Sequence, residues 1–275
     1  MFSRQPVFDG IEHITDEMGV SMTLLHGNKR VLLFDTGYGT EDVSRLLLPY
    51  GELEQTVLLS HGHHDHILGS RWFRQVYLRR EDSEEYRMRT GIGQREKVAV
   101  QARDKGVKVP PDFLTASYPE PIPFIMEEVA DGFPCRWMDL GGLSIRVYHV
   151  PGHTPGSLMI YCPEQKLLLT GDNWNPCTWL WFPSSVPANV WRNHILALME
   201  RIPFEYVLCS HQPGISKGDE MRRLVASLTD ERLEEAEKVD MDGKTDTRRA
   251  VPDGQDETFV FDWRKWKNEA EKVTR

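Results

Sequence analysis

Short apolar runs bounded by turn residues dominate the first sixty positions of the chain. Val20–His26 and Arg30–Phe34 flank Gly27-Asn28, a turn signal between two strands. Val31-Leu32-Leu33-Phe34 is a continuous apolar run of the kind a strand buried on both faces requires, and it stops at Asp35-Thr36-Gly37. Thr40-Glu41-Asp42 predicts a helix start before Val43–Leu48, with Pro49 and Gly51 ending it. Thr56–Ser60 predicts another buried strand that feeds directly into His61. From Glu81 to Lys105 charged, helix-favouring residues predict two helical pieces broken at Gly91 and Gly93, and Pro110–Pro123 reads as a wrapped connector.

The second half repeats the arrangement of strands that end on polar residues. Leu143–Tyr148 alternates with period two and delivers the chain to Pro151-Gly152-His153. Ser157–Tyr161 and Lys166–Leu169 read as a strand pair ending at Thr170-Gly171-Asp172, and Val190, Ile195, Leu198 and Met199 mark one face of a helix over Asn189–Arg201. Tyr206–Ser210 is a last buried strand leading into His211. Beyond Gly214, Gly218–Val239 reads as charged helix, Asp240–Thr258 as a polar tract, and Phe259, Phe261, Trp263 and Trp266 as an aromatic tail.

Length and charge narrow the function classes. A chain of 275 residues can bury a sizeable core, and one large domain with at most a small appendage is the expectation. Thirty-three Lys and Arg against 42 Asp and Glu give a net charge of -9, so a phosphate-tracking surface and a nucleic-acid partner are disfavoured. No stretch approaches the roughly 18 consecutive apolar residues of a membrane span, and MFSRQPVFDG lacks the layout of a signal peptide. These features predict a soluble, cytoplasmic protein with no membrane partner. Cys135, Cys162, Cys177 and Cys209 include no C-x-x-C pair and read as inert thiols rather than a disulfide scaffold.

The histidines are distributed differently, because four of the ten, His61, His63, His64 and His66, fall within six residues. His61-Gly62-His63-His64-Asp65-His66 carries the pattern H-x-H-x-D-H at a strand terminus. In a turned loop His61 and His63 can point the same way and share one ion, while Asp65 and His66 swing towards a second. Four ligands do not fill two metal sites, so further His or Asp is expected at strand ends downstream, and His153, Asp172 and His211 stand there.

With P-G-H-T-P-G-S at Pro151–Ser157, T-G-D at Thr170–Asp172 and S-H at Ser210-His211, this motif order resembles the metallo-β-lactamase fold superfamily over about Val20–Pro213. The resemblance implies an α+β, four-layer αββα sandwich, with a catalytic domain over 1–214 and a C-terminal helical extension over 215–275 packed on it. It implies that His61, His63 and His153 hold a first metal, that Asp65, His66 and His211 hold a second, and that Asp172 bridges them. Two Zn²⁺ ions are the expected cofactors, with iron or manganese as alternatives. A bridging hydroxide is then the nucleophile, with Asp65 and His211 the ligands closest to the chemistry. Asp35 is either a turn former or, as the resemblance implies, a support for the ligand loop.

A metal-dependent hydrolase acting on a small-molecule ester, thioester or lactone is the expected function. The alternatives are a phosphodiester or phosphate-ester hydrolase, an iron-dependent oxidoreductase of the same fold, and a metal-binding protein without turnover. Diiron flavoproteins of this fold characteristically carry Glu where His63 stands, which disfavours redox chemistry. Acyl-homoserine lactonases place a tyrosine three residues after the bridging aspartate, where this chain has Asn175. The segment 173–183, rich in tryptophan, reads as a substrate wall or lid, as packing over the sheet, or as the contact of a homodimer. On the first reading Trp174, Trp179 and Trp181 face substrate, as does His64 from its free position inside the motif.

Overall fold

A computed structural model describes residues 1–251 and 257–273. Its strand Arg30–Phe34 shows how the apolar runs are used. Leu32 and Phe34 enter a core between two sheets, whereas Val31 and Leu33 enter a second core on the opposite face. Leu158–Cys162 divides in the same way, with Leu158 and Ile160 facing the inter-sheet core and Met159 and Tyr161 facing a third. Side chains that alternate between two dry faces must all be apolar, which is why these runs lack a polar period.

Two seven-stranded sheets result. The first runs Ser3–Phe8, Ile11–Thr15, Ser21–His26, Arg30–Phe34, Glu54–Leu58, Tyr77–Leu78, Ile122–Pro123, antiparallel up to Arg30–Phe34 and parallel beyond it. The second runs Ser216–Lys217, Tyr206–Cys209, Leu167–Gly171, Leu158–Cys162, Ser144–His149, Phe133–Asp139, Glu128–Ala130. Helical segments cover both outer faces: Val43–Tyr50 and Ser83–Arg89 lie on the first sheet, Ala188–Arg201 and Gly218–Ser227 on the second. This is the four-layer αββα sandwich the sequence predicts. No helix among the described residues is long and apolar enough to cross a membrane.

Several elements differ from expectation. Val43–Tyr50 is a 3-10 helix that contains Pro49. The break between Ser83–Arg89 and Ile92–Asp104 falls at Thr90-Gly91, while Gly93 sits inside the second helix. Beyond residue 215 the expected helices are present at Gly218–Ser227, Asp230–Glu234 and Trp263–Val273, but helix does not continue to Val239. Glu237–Met241 is instead a strand, the polar tract contributes Lys244–Ala250, and the aromatic stretch opens with strand Thr258–Asp262. Residues 252–256 of that tract lie outside the described residues. These strands join Cys177–Leu180 in a four-stranded sheet in which Cys177–Leu180 runs parallel to Thr258–Asp262. The hairpin could not be seen as apolar alternation because Glu237–Met241 buries none of its side chains fully, whereas Phe259 and Phe261 supply the buried face.

At one edge the two large sheets are laced together. Leu158 N donates to Ser60 O (2.9 Å) and Ser21 N to Ser210 O (2.8 Å), so backbone bonds cross from one sheet to the other beside the candidate ligands. Buried Asp82 adds a side-chain clasp by accepting from Gly62 N (3.0 Å), Thr154 Oγ1 (2.6 Å) and Gly156 N (2.7 Å). The clasp requires glycine at 156, where a Cβ would stand 2.6 Å from the Asp82 Cγ. Burial pushes the Asp82 carboxyl upward, and its three donors oppose that shift. Asp82→Ala is expected to lower stability by about 3 kcal/mol in chemical denaturation, because it orphans three buried donors at once. A loss below about 1 kcal/mol would show that the two loops hold without it.

Candidate metal centre

The strand ends converge, in two groups. His61, His63 and His153 form one, and Asp65, His66, Asp172 and His211 the other, with ligand atoms in each group lying within 4.8 Å of one another. His61 follows strand Glu54–Leu58 of the first sheet, while Asp172 and His211 follow the parallel strands Leu167–Gly171 and Tyr206–Cys209 of the second. His64–Ile67 forms a single helical turn directly after His63, which brings Asp65 and His66 to the second group, while the His66 ring stays 4.1 Å from that of His61.

Neighbouring groups fix which nitrogen of each ring faces inward. Asp35 is buried with φ 71°, a left-handed conformation that aspartate tolerates better than most side chains. Its carboxylate accepts from Ser60 N (2.7 Å) and Ser60 Oγ (2.8 Å) and meets His66 Nδ1 at 2.9 Å. Ser60 Oγ also lies 2.9 Å from His61 Nδ1. One carboxylate thus orients His66 directly and His61 through Ser60. The Trp179 carbonyl meets His153 Nδ1 at 2.6 Å, which turns Nε2 towards His63 Nδ1, 2.8 Å away. Glu85, itself bonded to Arg89, stands 3.4 Å from His63 Nε2.

The resulting donor set fits a divalent cation. His61 Nε2, His66 Nε2 and Asp172 Oδ1 are buried without a hydrogen-bond partner, each a cost of about 1–3 kcal/mol in the absence of a ligand. Asp172 Oδ2 lies 3.3 Å from His66 Nε2, 2.9 Å from His211 Nε2 and 3.7 Å from His153 Nε2, so it faces both groups. Asp65 Oδ2 is 3.5 Å from His211 Nε2. Tetrahedral ligands at about 2.05 Å from zinc are about 3.4 Å apart, close to most of these separations.

Charge is distributed to match. Burial, reinforced by the neighbouring imidazoles, holds His61 well below the ordinary imidazole range, and burial with His63 beside it pushes His153 down to about 3. Both rings are therefore neutral and offer lone pairs. His66 and His211 go the other way: burial disfavours their charge, but Asp172 and the nearby carboxylates outweigh it and raise both. Asp65 and Asp172 stay ionised because the same imidazoles overcome their burial.

A cavity of ≈ 170 Å³ opens onto this cluster, lined by His153, Asp172, Asn175, Cys177, Trp179 and His211. Of the proposed aromatic wall only Trp179 lines it. Trp174 is a correction: it is fully buried in the core under helix Ala188–Arg201, out of reach of any substrate. Trp181 is a second correction, being buried and stacked on Phe182 at 4.4 Å. Phe182 in turn contacts the His63 and His153 rings at 4.5 and 5.2 Å. His64 lies outside the cavity lining, half-buried with its edge against Tyr38. Gly152 leaves room for a side chain: a Cβ there would stand 1.9 Å from Asn173 Oδ1, which accepts from His153 N.

Asp82, Glu85, Asn173 and Phe182 were not singled out by the sequence, since each lies in a context with an ordinary explanation. Asp82 follows Arg80-Glu81 ahead of a charged helix, where an aspartate reads as a solvated helix start. Only the fold brings it under the loop of His153.

Comparisons with known proteins bear on the fold. Solved structures of similar fold include the stereoselective inverting sec-alkylsulfatase Pisa1 from Pseudomonas sp., with TM-score 0.59 and 18% identity over 82% of this chain. This chain spans only 41% of that protein. Metallo-β-lactamases from Pontibacter korlensis (TM-score 0.52, 16% identity, 82% of this chain and 98% of that one) and Erythrobacter litoralis (0.54, 14%, 82% and 95%) are also similar. No curated protein matches the sequence. The family model for the metallo-beta-lactamase superfamily matches residues 15–274, and the chain belongs to that superfamily.

Proposed function

We propose that the protein is a hydrolase with two divalent metal ions, zinc in preference to iron or manganese, acting on a small, uncharged ester, thioester or lactone. His61, His63 and His153 hold one ion, Asp65, His66 and His211 the other, and Asp172 faces both. The observation that carries the substrate class is the cavity itself: its lining includes no lysine or arginine, and Asn175, Cys177 and Trp179 form the wall opposite the ligands. A fixed anionic group away from the reacting bond would find no side-chain cation in the lining to meet it. The cavity volume, ≈ 170 Å³, suits a small acyl group better than a drug-sized ligand.

When bound, a pair of such ions lowers the pKa of water towards neutrality and polarises a carbonyl oxygen. The chain's own residues set the geometry for that chemistry. Asp65 turns Oδ2 towards His66 and His211, at 3.8 and 3.5 Å, and Oδ1 towards His64 Nδ1 at 3.7 Å, so its carboxylate would serve as a ligand that orients the attacking water. His211, about one-third exposed, forms the rim where the leaving group departs. Trp179 lays its ring against the acyl group while its backbone carbonyl holds His153.

Protein purified without chelators or a histidine tag is expected to contain about two zinc ions per chain by plasma mass spectrometry. It should cleave nitrophenyl acetate or a thioester and leave bis-nitrophenyl phosphate and a secondary alkyl sulfate intact. Activity confined to the latter pair would overturn the acyl assignment. Asp172→Ala should lower turnover at least about a hundredfold with loss of metal and retention of the circular dichroism spectrum; unchanged turnover would remove Asp172 from the centre. Trp179→Ala keeps the backbone carbonyl, so KM is expected to rise several-fold with kcat nearly constant, and an unchanged KM would assign the ring to packing.

Acidification has a defined order. His66 and His211 hold protons at higher pH than an ordinary imidazole, whereas His61 and His153 hold them only at lower pH. Protons therefore compete first for the Asp65, His66, Asp172, His211 group as pH falls. Metal content during acid dialysis should drop from two to one before it drops to zero; loss of both in one step would contradict the assignment.

A further inference from the structure

The buried face of the C-terminal segment points at the candidate centre through a single ammonium group. Lys265, in helix Trp263–Val273, donates to Phe182 O (2.9 Å), Pro183 O (2.7 Å) and Ser185 O (2.6 Å). Three carbonyls around one ammonium satisfy its three donors and draw a four-residue turn tightly around it. That turn is not remote from the ligands. Ser185 Oγ donates to His153 O (2.7 Å), Val186 N to Gly152 O (3.0 Å), and the Phe182 ring packs on both His63 and His153.

A second connection runs in parallel through the backbone. Strand Thr258–Asp262 pairs with Cys177–Leu180, placing Trp179 opposite Val260, and Trp179 O is the acceptor that orients His153 Nδ1. Thr258 Oγ1 also donates to the Cys177 sulfur at 2.9 Å, so the cavity wall itself is held from the C-terminal segment. His153 is thus fixed at its ring by strand Cys177–Leu180, at its carbonyl by Ser185 and at its face by Phe182. All three attachments lie on a stretch tethered by residues beyond 257.

We propose that Lys265 is a positioning residue for the first ligand group: by gathering the carbonyls of 182, 183 and 185 it sets the orientation of His153 and the packing of Phe182 on His63. Among the described residues the second group has no such attachment. His66 is held by Asp35, Asp65 shares the helical turn of His66, and His211 follows Tyr206–Cys209 in the second sheet. The two metal affinities are therefore separable, and Lys265 controls one of them. The inference rests on the metal-centre reading above.

Chelator competition on the full-length, zinc-loaded protein reads both affinities. Lys265→Met keeps the aliphatic stem and removes the donors; it is expected to weaken one ion about tenfold and leave the other at its wild-type affinity. Lys265→Arg, which restores a cation with several donors, should recover most of the loss. Equal weakening of both ions, or unchanged affinities in a folded Lys265→Met protein, would overturn the proposal. If Lys265→Met does not fold, Ser185→Ala, which deletes only the hydroxyl on His153 O, reads the same quantity: selective weakening of one ion supports the proposal and no change overturns it. Wild-type protein that binds no zinc would overturn the metal-centre reading and this inference together, whereas two tight ions in wild type and variants alike would overturn the inference alone.

Discussion

Buried polar groups that must find partners constrain this structure more than any single apolar contact. His61, His63, His66, His153, Asp35, Asp82 and Asp172 are all withdrawn from water at the edge between the two large sheets. A buried polar atom without a partner is costly, and a buried charge more so. The partners come from loops of both sheets, and where they cross, as at Asp82, satisfying the group also fixes the sheets relative to one another. Asp35 joins Ser60 to His66, Asp82 joins Gly62 to Thr154 and Gly156, and Asn173 joins Val150 to His153. Among these residues His61 Nε2, His66 Nε2 and Asp172 Oδ1 keep no hydrogen-bond partner, and these are atoms a cation can satisfy.

The layered fold makes such a cluster affordable in one place. Three large apolar clusters lie between and outside the sheets, beside a small fourth around Leu68, Val98 and Phe113, and the strands that separate the large ones are apolar on both faces. Polar residues are consequently displaced to strand ends, where parallel neighbours such as Leu167–Gly171 and Tyr206–Cys209 release their chains side by side. Asp172 and His211 meet because they follow, by one and two residues, two adjacent strands that point the same way. The outer cores are structurally distinct, yet the one under helix Ala188–Arg201 reaches the site indirectly: Trp191 donates to Asn173 O, and Asn173 holds the backbone of His153.

Legibility in the sequence followed from how locally each feature is encoded. The run Val31–Phe34 and the motif from His61 to His66 declare themselves within a few residues, and the strand-end positions of His153, Asp172 and His211 follow from the same pattern. Asp82 does not, because its role depends on a loop more than seventy residues later folding onto it. The strands Glu237–Met241 and Lys244–Ala250 were hidden by charge, since a sheet with one face in water carries polar residues that read equally well as coil. Trp174 and Trp179 are five residues apart in one aromatic segment, and nothing local distinguishes the ring that enters the core from the ring that lines the cavity.

The parallel pairing of Cys177–Leu180 with Thr258–Asp262 has a bearing on the order in which the molecule matures. The Thr258 to Cys177 contact closes a sequence separation of 81 residues, and loops of that size close late relative to hairpins because their ends must first be brought together. The ligand cluster depends on closures at least as long, with 90 residues between His63 and His153. All seven candidate ligands stand at or before His211 in the chain, so synthesis completes the ligand set before it makes the strand Thr258–Asp262 that pairs with the cavity wall, and the last strand added is the one that closes the pocket.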